Sequence, residues 1–356
     1  MNVQRALPPI RRSVHGALLA VLGALLPAAP VAAQDIIAYG RECSHKIAPI
    51  PAFDCFDGAE APITVNGQTP ASYQPHMTCD RPSLLYQAGE NTDGRCVPFT
   101  RALVLRDDGQ AQISAICRQK KIRTRESPLF DEVDIIAHSL ETGSTCWFQA
   151  QAKEPLSPAR GLNGRRVPPP DEETPPPGHP SARAFWNPPQ QTAKGTCVGC
   201  HDSDPFMYSP FIAQTGRLPA DPFGRYANDI GAAFRNWPKP SSISTRGNTC
   251  TSCHRMGSLE TCRTTAKESA GWLASPGRDD WAKAYPQSHW MPPGNFHTQI
   301  QWDVIYKINL ERILACCADP SQPECVATPI TGGSAPLQRN AVRKPRAAKK
   351  VCGTSN

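Results

Sequence analysis

Two pentapeptides in the chain repeat one pattern: Cys197-Val198-Gly199-Cys200-His201 and Cys250-Thr251-Ser252-Cys253-His254. Thiols at this spacing fall on one edge of a helical turn, and an imidazole follows at once. Two thiols so placed add to the two vinyl groups of a haem, while the adjacent His turns to the iron as proximal ligand. Chance would give roughly 0.015 such pentapeptides in a chain of this composition, so a pair is a specific signal. The competing chemistries are a zinc site built from the two C-x-x-C steps, or two local disulfides. The separation between the steps is longer than in a compact zinc ribbon, and zinc gives no reason for a His after both second cysteines. A thioredoxin-like redox pair would need a βαβ setting, which the flanking sequence lacks.

On these residues the segment from about 190 to 320 resembles the c-type cytochromes. The resemblance implies two haem c groups, with Cys197, Cys200, Cys250 and Cys253 as thioether cysteines and His201 and His254 as proximal ligands. It also implies attachment outside the cytoplasmic membrane, and it does not extend to the N-terminal half. Class I members commonly supply a distal Met just before a closing C-terminal helix. Trp290-Met291-Pro292-Pro293-Gly294, ahead of a helical stretch at 299–317, is similar in order and distance, so Met291 is assigned to the second haem. Met256, two residues past His254, is too close to reach the opposite face. For the first haem the candidates are Met207, His289 and His297, with His179 as a further imidazole. An open sixth position is the alternative. Aromatic residues near the motifs, among them Phe185, Trp186, Phe206 and Trp237, serve as apolar wrap for a macrocycle.

The leading expectation is therefore an exported electron-transfer protein with redox partner proteins. The alternative is a dihaem peroxidase or haem-dependent oxidase whose N-terminal domain binds a small-molecule substrate or a surface partner. The dihaem peroxidases place their motifs much further apart, whereas 49 residues lie between Cys200 and Cys250. A binding module at the N-terminus fused to a redox head is compatible with the first expectation.

The elements that must hold these motifs follow from composition. The chain has 356 residues with 38 Pro and 15 Cys, which predicts a loop-rich protein of an oxidising compartment. Residues 1–33 read as a secretory signal peptide: basic residues up to Arg12, an apolar run from Gly16 to Leu26, and a small-residue exit at Val31-Ala32-Ala33. The run is short for a bilayer span, and no later stretch is apolar enough for one. A periplasmic or secreted location is expected.

The net charge of +7 belongs to the ends. Arg5, Arg11 and Arg12 lie in the leader, and Arg339, Arg343, Lys344, Arg346, Lys349 and Lys350 lie in the last 31 residues, leaving 29 bases against 31 acids elsewhere. A body of net charge −2 carries no basic stripe, which argues against nucleic acid as a partner.

The expected fold class is α+β, in consecutive parts. Residues 35–153 form a disulfide-stapled β-rich domain with two hairpins, Leu103–Leu105 with Ile113–Cys117 and Val133–Ala137 with Cys146–Phe148. Its six cysteines (Cys43, Cys55, Cys79, Cys96, Cys117, Cys146) allow 15 pairings, of which sequence neighbours are the simplest. Asp131, Glu132 and Asp134 are expected to face water. Residues 154–190 form a Pro-rich, extended linker, and 191–326 a mainly α cytochrome c-like dihaem domain. In it Ile300, Val304, Ile305, Ile308 and Ile313 are taken as the apolar face of the 299–317 helix. Cys262 is expected to pair with Cys316 or Cys317, and the other of these with Cys325. Residues 327–356, with the odd Cys352, read as a disordered basic tail.

Overall fold

The structure is a computed structural model that describes residues 34–330 apart from 76, 78, 84–95, 153–158, 196, 208, 217–223, 254, 271, 273–290 and 293–297. The expected leader, residues 331–356 of the basic tail with Cys352, and His254, His289 and His297 lie outside the described residues, whereas residues 327–329, expected in the disordered tail, belong to a strand held by pairing with Ser241–Thr245.

Alternating apolar residues build the central sheet. The chain enters through helix α1 (Ile36–Lys46), forms the short strand β1 (Ala59–Glu60), and then runs through β2 (Arg101–Asp107) and β3 (Ala111–Arg118). Asp108 closes their turn by accepting from the amides of Gln110 and Ala111, both at 2.9 Å. After β4 (Leu129–Phe130), a second hairpin joins β5 (Glu132–Ser139) to β6 (Ser144–Gln151). Both hairpins fall where the alternation and turn residues predict them. The six-stranded sheet has the order β1-β2-β3-β5-β6-β8, where β8 (Asn228–Asp229) pairs parallel to β6 and the other pairs are antiparallel.

Register gives this sheet two different faces, because side chains alternate along a strand. Ala115, Ile135 and Phe148 lie side by side on one face, as do Ile113, Ala137 and Cys146, and all are buried. Helix α1 covers this face with Ile37, Tyr39 and Cys43, and the Tyr39 ring lies tilted against Phe148 with centroids 4.9 Å apart. Two disulfides fasten it: Cys43–Cys146 ties α1 to β6, and Cys55–Cys117 ties the turn after α1 to β3. The third, Cys79–Cys96, closes a shorter loop. Of three bonds expected between sequence neighbours, only this last one is, because α1 must cross to the far strands to cover the sheet.

The Pro-rich segment differs from a free linker over its described part. Val167 pairs with Phe53 in an isolated bridge, and Trp186 donates its indole N–H to the carbonyl of Pro168 at 2.9 Å. Asp171 accepts from Ser44 at 2.9 Å, and Glu173 pairs with Arg41 at 2.7 Å, both from α1. Gly40 of α1 passes so close to Pro170 that a Cβ there would sit 2.7 Å from its carbonyl carbon. Proline removes donors without preventing a chain from packing, and here Val167, Phe185 and Trp186 anchor it in the apolar cluster of the sheet.

Beyond β7 (Leu162–Asn163) come the short helices α2 (Ala182–Phe185), α3 (Pro189–Lys194), α4 (Cys197–Cys200) and α5 (Pro210–Ala213). A second apolar cluster forms from β9 (Ser241–Thr245), a wide helical turn at Thr261–Thr265 running into α6 (Ala266–Ser269), the long helix α7 (Gln299–Ala318), and β10 (Cys325–Pro329) paired antiparallel to β9. Cys262–Cys317 and Cys316–Cys325 brace it, an arrangement within the pairings expected. Thr298 caps α7 reciprocally with Gln301.

Helix α7 is present as the periodicity predicts, but it buries the opposite face. Ile300, Val304, Ile305 and Ile308 are 45–81% exposed, whereas Trp302, Leu310, Ile313 and Cys316 are buried. At 100° per residue Ile313 falls on the Trp302 side, away from the other four. The helix has apolar residues on both sides, and the Cys316 and Cys317 bonds with the Trp302 indole choose between them. The described chain is thus α+β, with five disulfides.

Candidate cofactor-attachment site

The first motif leans on the second face of the sheet. Pro189 starts α3 at a position where a missing N–H costs nothing, and the chain then enters the single turn α4. The amide of His201 donates to the carbonyl of Cys197 at 2.9 Å, so the imidazole continues the turn that carries both thiols. Cys197 and Cys200 are partly buried and form no disulfide. Burial pushes the Cys197 thiol up to about 12, helped by the carboxylates of Asp134 and Glu132. Burial likewise pushes Cys200 up to about 11. These are protonated thiols rather than the thiolates of a redox catalyst.

His201 stands against Trp147, with ring centroids 5.1 Å apart, and Tyr226 donates to its carbonyl at 2.7 Å. Trp237 packs on Trp147 and is itself fixed by a 2.9 Å bond to the carbonyl of Ala193. His138, bonded to Thr145 at 2.9 Å, lies edge-on to Phe206 and Tyr226 and continues the wall. Burial pulls the imidazole of His201 down to about 4, against a smaller upward pull from the Pro205 backbone. The ring is therefore neutral at neutral pH, as a metal-binding imidazole must be. Its Nδ1 is buried with no completed hydrogen bond.

The acids expected to face water do not. Asp131 is enclosed by Arg123 and Lys121, at 2.7 and 2.6 Å, and these bonds outweigh burial and hold its carboxyl below the usual range. Glu132 pairs with Lys120 at 2.7 Å and with Arg118 at 3.2 Å. Asp134, on the same face of β5, shares Arg118 at 3.0 Å, and burial together with the Glu132 charge raises it to about 7. Strand alternation does place Glu132 and Asp134 on one face. That face is covered by the first motif instead of solvent.

The second motif is held by Asn248, whose side chain accepts from the amide of Cys250 at 2.9 Å and donates to Thr245 and to the carbonyl of Asn309. These bonds tie the turn at Cys250–Ser252 to β9 and α7. Cys250 packs against the second cluster, and burial raises its thiol; Cys253 is exposed. Met291 stands at the approach to α7: its amide faces the carbonyl of Ser269 at 3.4 Å and its carbonyl accepts from the indole of Trp302 at 2.6 Å. Met256 is buried in the second cluster. Met207 accepts from Thr265 at its sulfur, at 3.8 Å, and His179 is exposed beyond the Pro176 turn.

Just after each motif the two segments meet. The Asp202 carboxylate accepts from the Thr261 hydroxyl and the Leu259 amide, both at 2.5 Å, and Arg255 donates to Asp204. The Thr261 hydroxyl also lies 3.0 Å from the carbonyl of Cys200. Nothing in the sequence marks Trp147 or Arg118 as neighbours of the first motif, or Asp202 as a partner of Leu259 and Thr261, since each of these meetings crosses a long chain separation.

Among the described residues, no three His, Cys, Asp or Glu gather as a metal-holding group, so the four free cysteines do not converge on one zinc. The residues around the first motif fit a covalently attached haem: paired protonated thiols on one turn, a neutral imidazole beside them, and aromatic walls. Comparison of the chain with protein-family models, curated proteins and solved structures finds no match. No helix among the described residues is long and apolar enough to cross a membrane.

Proposed function

We propose that the protein is an exported c-type cytochrome that carries electrons through two covalently attached haems. The observation that supports it most is the turn Cys197–Cys200, with two unbonded thiols and a buried neutral His201, in a chain whose ten described cysteines outside the two motifs are all paired. Ten cysteines oxidised and four left free is a selective pattern. It makes sense where the free four have another covalent use.

When bound, haem supplies a one-electron iron couple whose potential depends on axial ligand and burial. The chain's residues have separable parts in this reading. Cys197 and Cys200 would hold the group at the first motif through their thiols. His201 offers a ligand nitrogen because burial keeps it neutral. Trp147, Trp237, Phe206 and Tyr226 exclude water. Cys250 and Cys253 would hold the second group, with His254 and Met291 as the residues proposed to ligate its iron. Redox partner proteins outside the cytoplasm follow from this reading, as do the disulfides.

The test is intact mass and visible spectra of protein exported from a host with haem-attachment machinery. Two haem masses with low-spin bands in both oxidation states are expected, and Cys197→Ser with Cys200→Ser should remove one of them. A high-spin band in the oxidised protein would favour a peroxidase or oxidase instead. Absence of covalent haem would overturn the reading.

A further inference from the structure

Resting on this reading, we infer that Asp202 and Asp204 clasp the two motif-bearing segments into one two-centre unit, so that the state of one attachment site is felt at the other. Each acid sits within three residues of His201, and each is bonded to residues that follow His254. Asp202 is buried and spends both oxygens across the junction, on the Thr261 hydroxyl and the Leu259 amide. Its own carbonyl accepts from Ser241 at the start of β9, at 3.1 Å. Asp204 and Arg255 form an ion pair whose side chains are 17% and 13% exposed.

The fit is close enough to dictate a residue. At Gly257 a Cβ would fall 1.7 Å from the Asp202 carboxylate oxygen, nearer than any two such atoms approach. Any other residue at 257 would therefore push the carboxylate off Leu259 and Thr261. Thr261 sits between the Asp202 carboxylate and the carbonyl of Cys200, so the second segment also touches the turn that carries the first pair of thiols.

A junction of buried, charge-assisted bonds has a narrow geometry, and breaking it leaves polar groups without partners. It transmits displacement between the segments in either direction, since linkage between two sites is reciprocal. Asp202 and Asp204 are positioning residues in this sense: they act through the segments they join.

Three variants test it: Asp202→Ala, Gly257→Ala and Asp204→Asn. Amide hydrogen exchange should quicken at least tenfold at Leu259 and Thr261 in the first two, and in the third at Ile243, whose amide bonds the carbonyl of Met256 beside Arg255. The amides of β5 should be unchanged, which separates release of the clasp from unfolding. Asp204→Asn removes the charge while leaving Asp202 bonded, so it serves if the other two do not fold. In loaded protein, removing the first centre with Cys197→Ser and Cys200→Ser should shift the midpoint potential of the second. That shift should shrink by at least half in the Asp204→Asn background. Unchanged exchange, or a shift identical in both backgrounds, would overturn the inference. If the wild-type chain carries no haem, the cofactor reading fails, and exchange alone decides whether the clasp couples the segments.

Discussion

The indole of Trp147 and the imidazole of His201 lie 5.1 Å apart with their planes tilted by 58°. Trp147 belongs to the sheet strand β6, next to Cys146 with its disulfide to α1, so the first motif is seated on a strand that is covalently braced. Its indole N–H is in turn held by Asp229 at 2.7 Å.

Replacing Trp147 therefore acts on both the fold and the motif. Trp147→Ala is expected to cost about 3–5 kcal/mol, in the range of large aromatic truncations. Trp147→Phe keeps most of the contact but takes the donor from Asp229, for about 1–3 kcal/mol. Denaturant unfolding of both variants checks the order, and a Phe variant as damaged as the Ala variant would contradict it.

Helix α7 offers a contrast between two apolar residues of similar kind. Ile313 is fully buried while Val304 is 81% exposed. Ile313→Ala should lose about 2–5 kcal/mol, whereas Val304→Ser should stay within about 0.5 kcal/mol. Were the exposed stripe the buried face, thermal unfolding would rank the two variants the other way.

The disulfides are expected to matter in proportion to the chain they close. Cys43–Cys146 spans 103 residues of sequence and Cys79–Cys96 spans 17. Removing the first pair as Cys43→Ser with Cys146→Ser should cost about 2–5 kcal/mol, and more than removing the second. Guanidinium midpoints of the two double variants would show a reversed order if loop closure is not the main effect.

Stability should also carry a signature of Asp134. Its folded carboxyl is raised to about 7, above the usual value for an unfolded Asp of about 3.9. The folded state then binds the extra proton, so the contribution is full below the unfolded value and is lost as pH rises through 7. Asp134→Asn should flatten that loss between about pH 4 and 7. Unfolding curves whose pH slope is the same in the variant would show that Asp134 is not its source.

Local chemistry made much of this protein legible. Both hairpins follow from alternation and from the short turns between their strands, and the helix at α7 follows from periodicity, because each depends on residues near one another in the chain. The motifs are legible for the same reason: a helical turn brings Cys197, Cys200 and His201 together whatever surrounds it. The surroundings depend on which distant surfaces meet. Alternation puts Glu132 and Asp134 on one face of β5, yet only the packed motif makes that face an interior one. Apolar residues line both sides of α7, and the bonds of Cys316 to Cys325 and of Cys317 to the distant Cys262 determine which side is buried. The Pro-rich stretch lacks donors for regular structure, but α1 and the sheet supply side-chain partners that hold it. The meeting of Asp202 with Leu259 and Thr261 has no local signal, since an aspartate and a glycine become a junction only when two segments are brought within hydrogen-bonding distance.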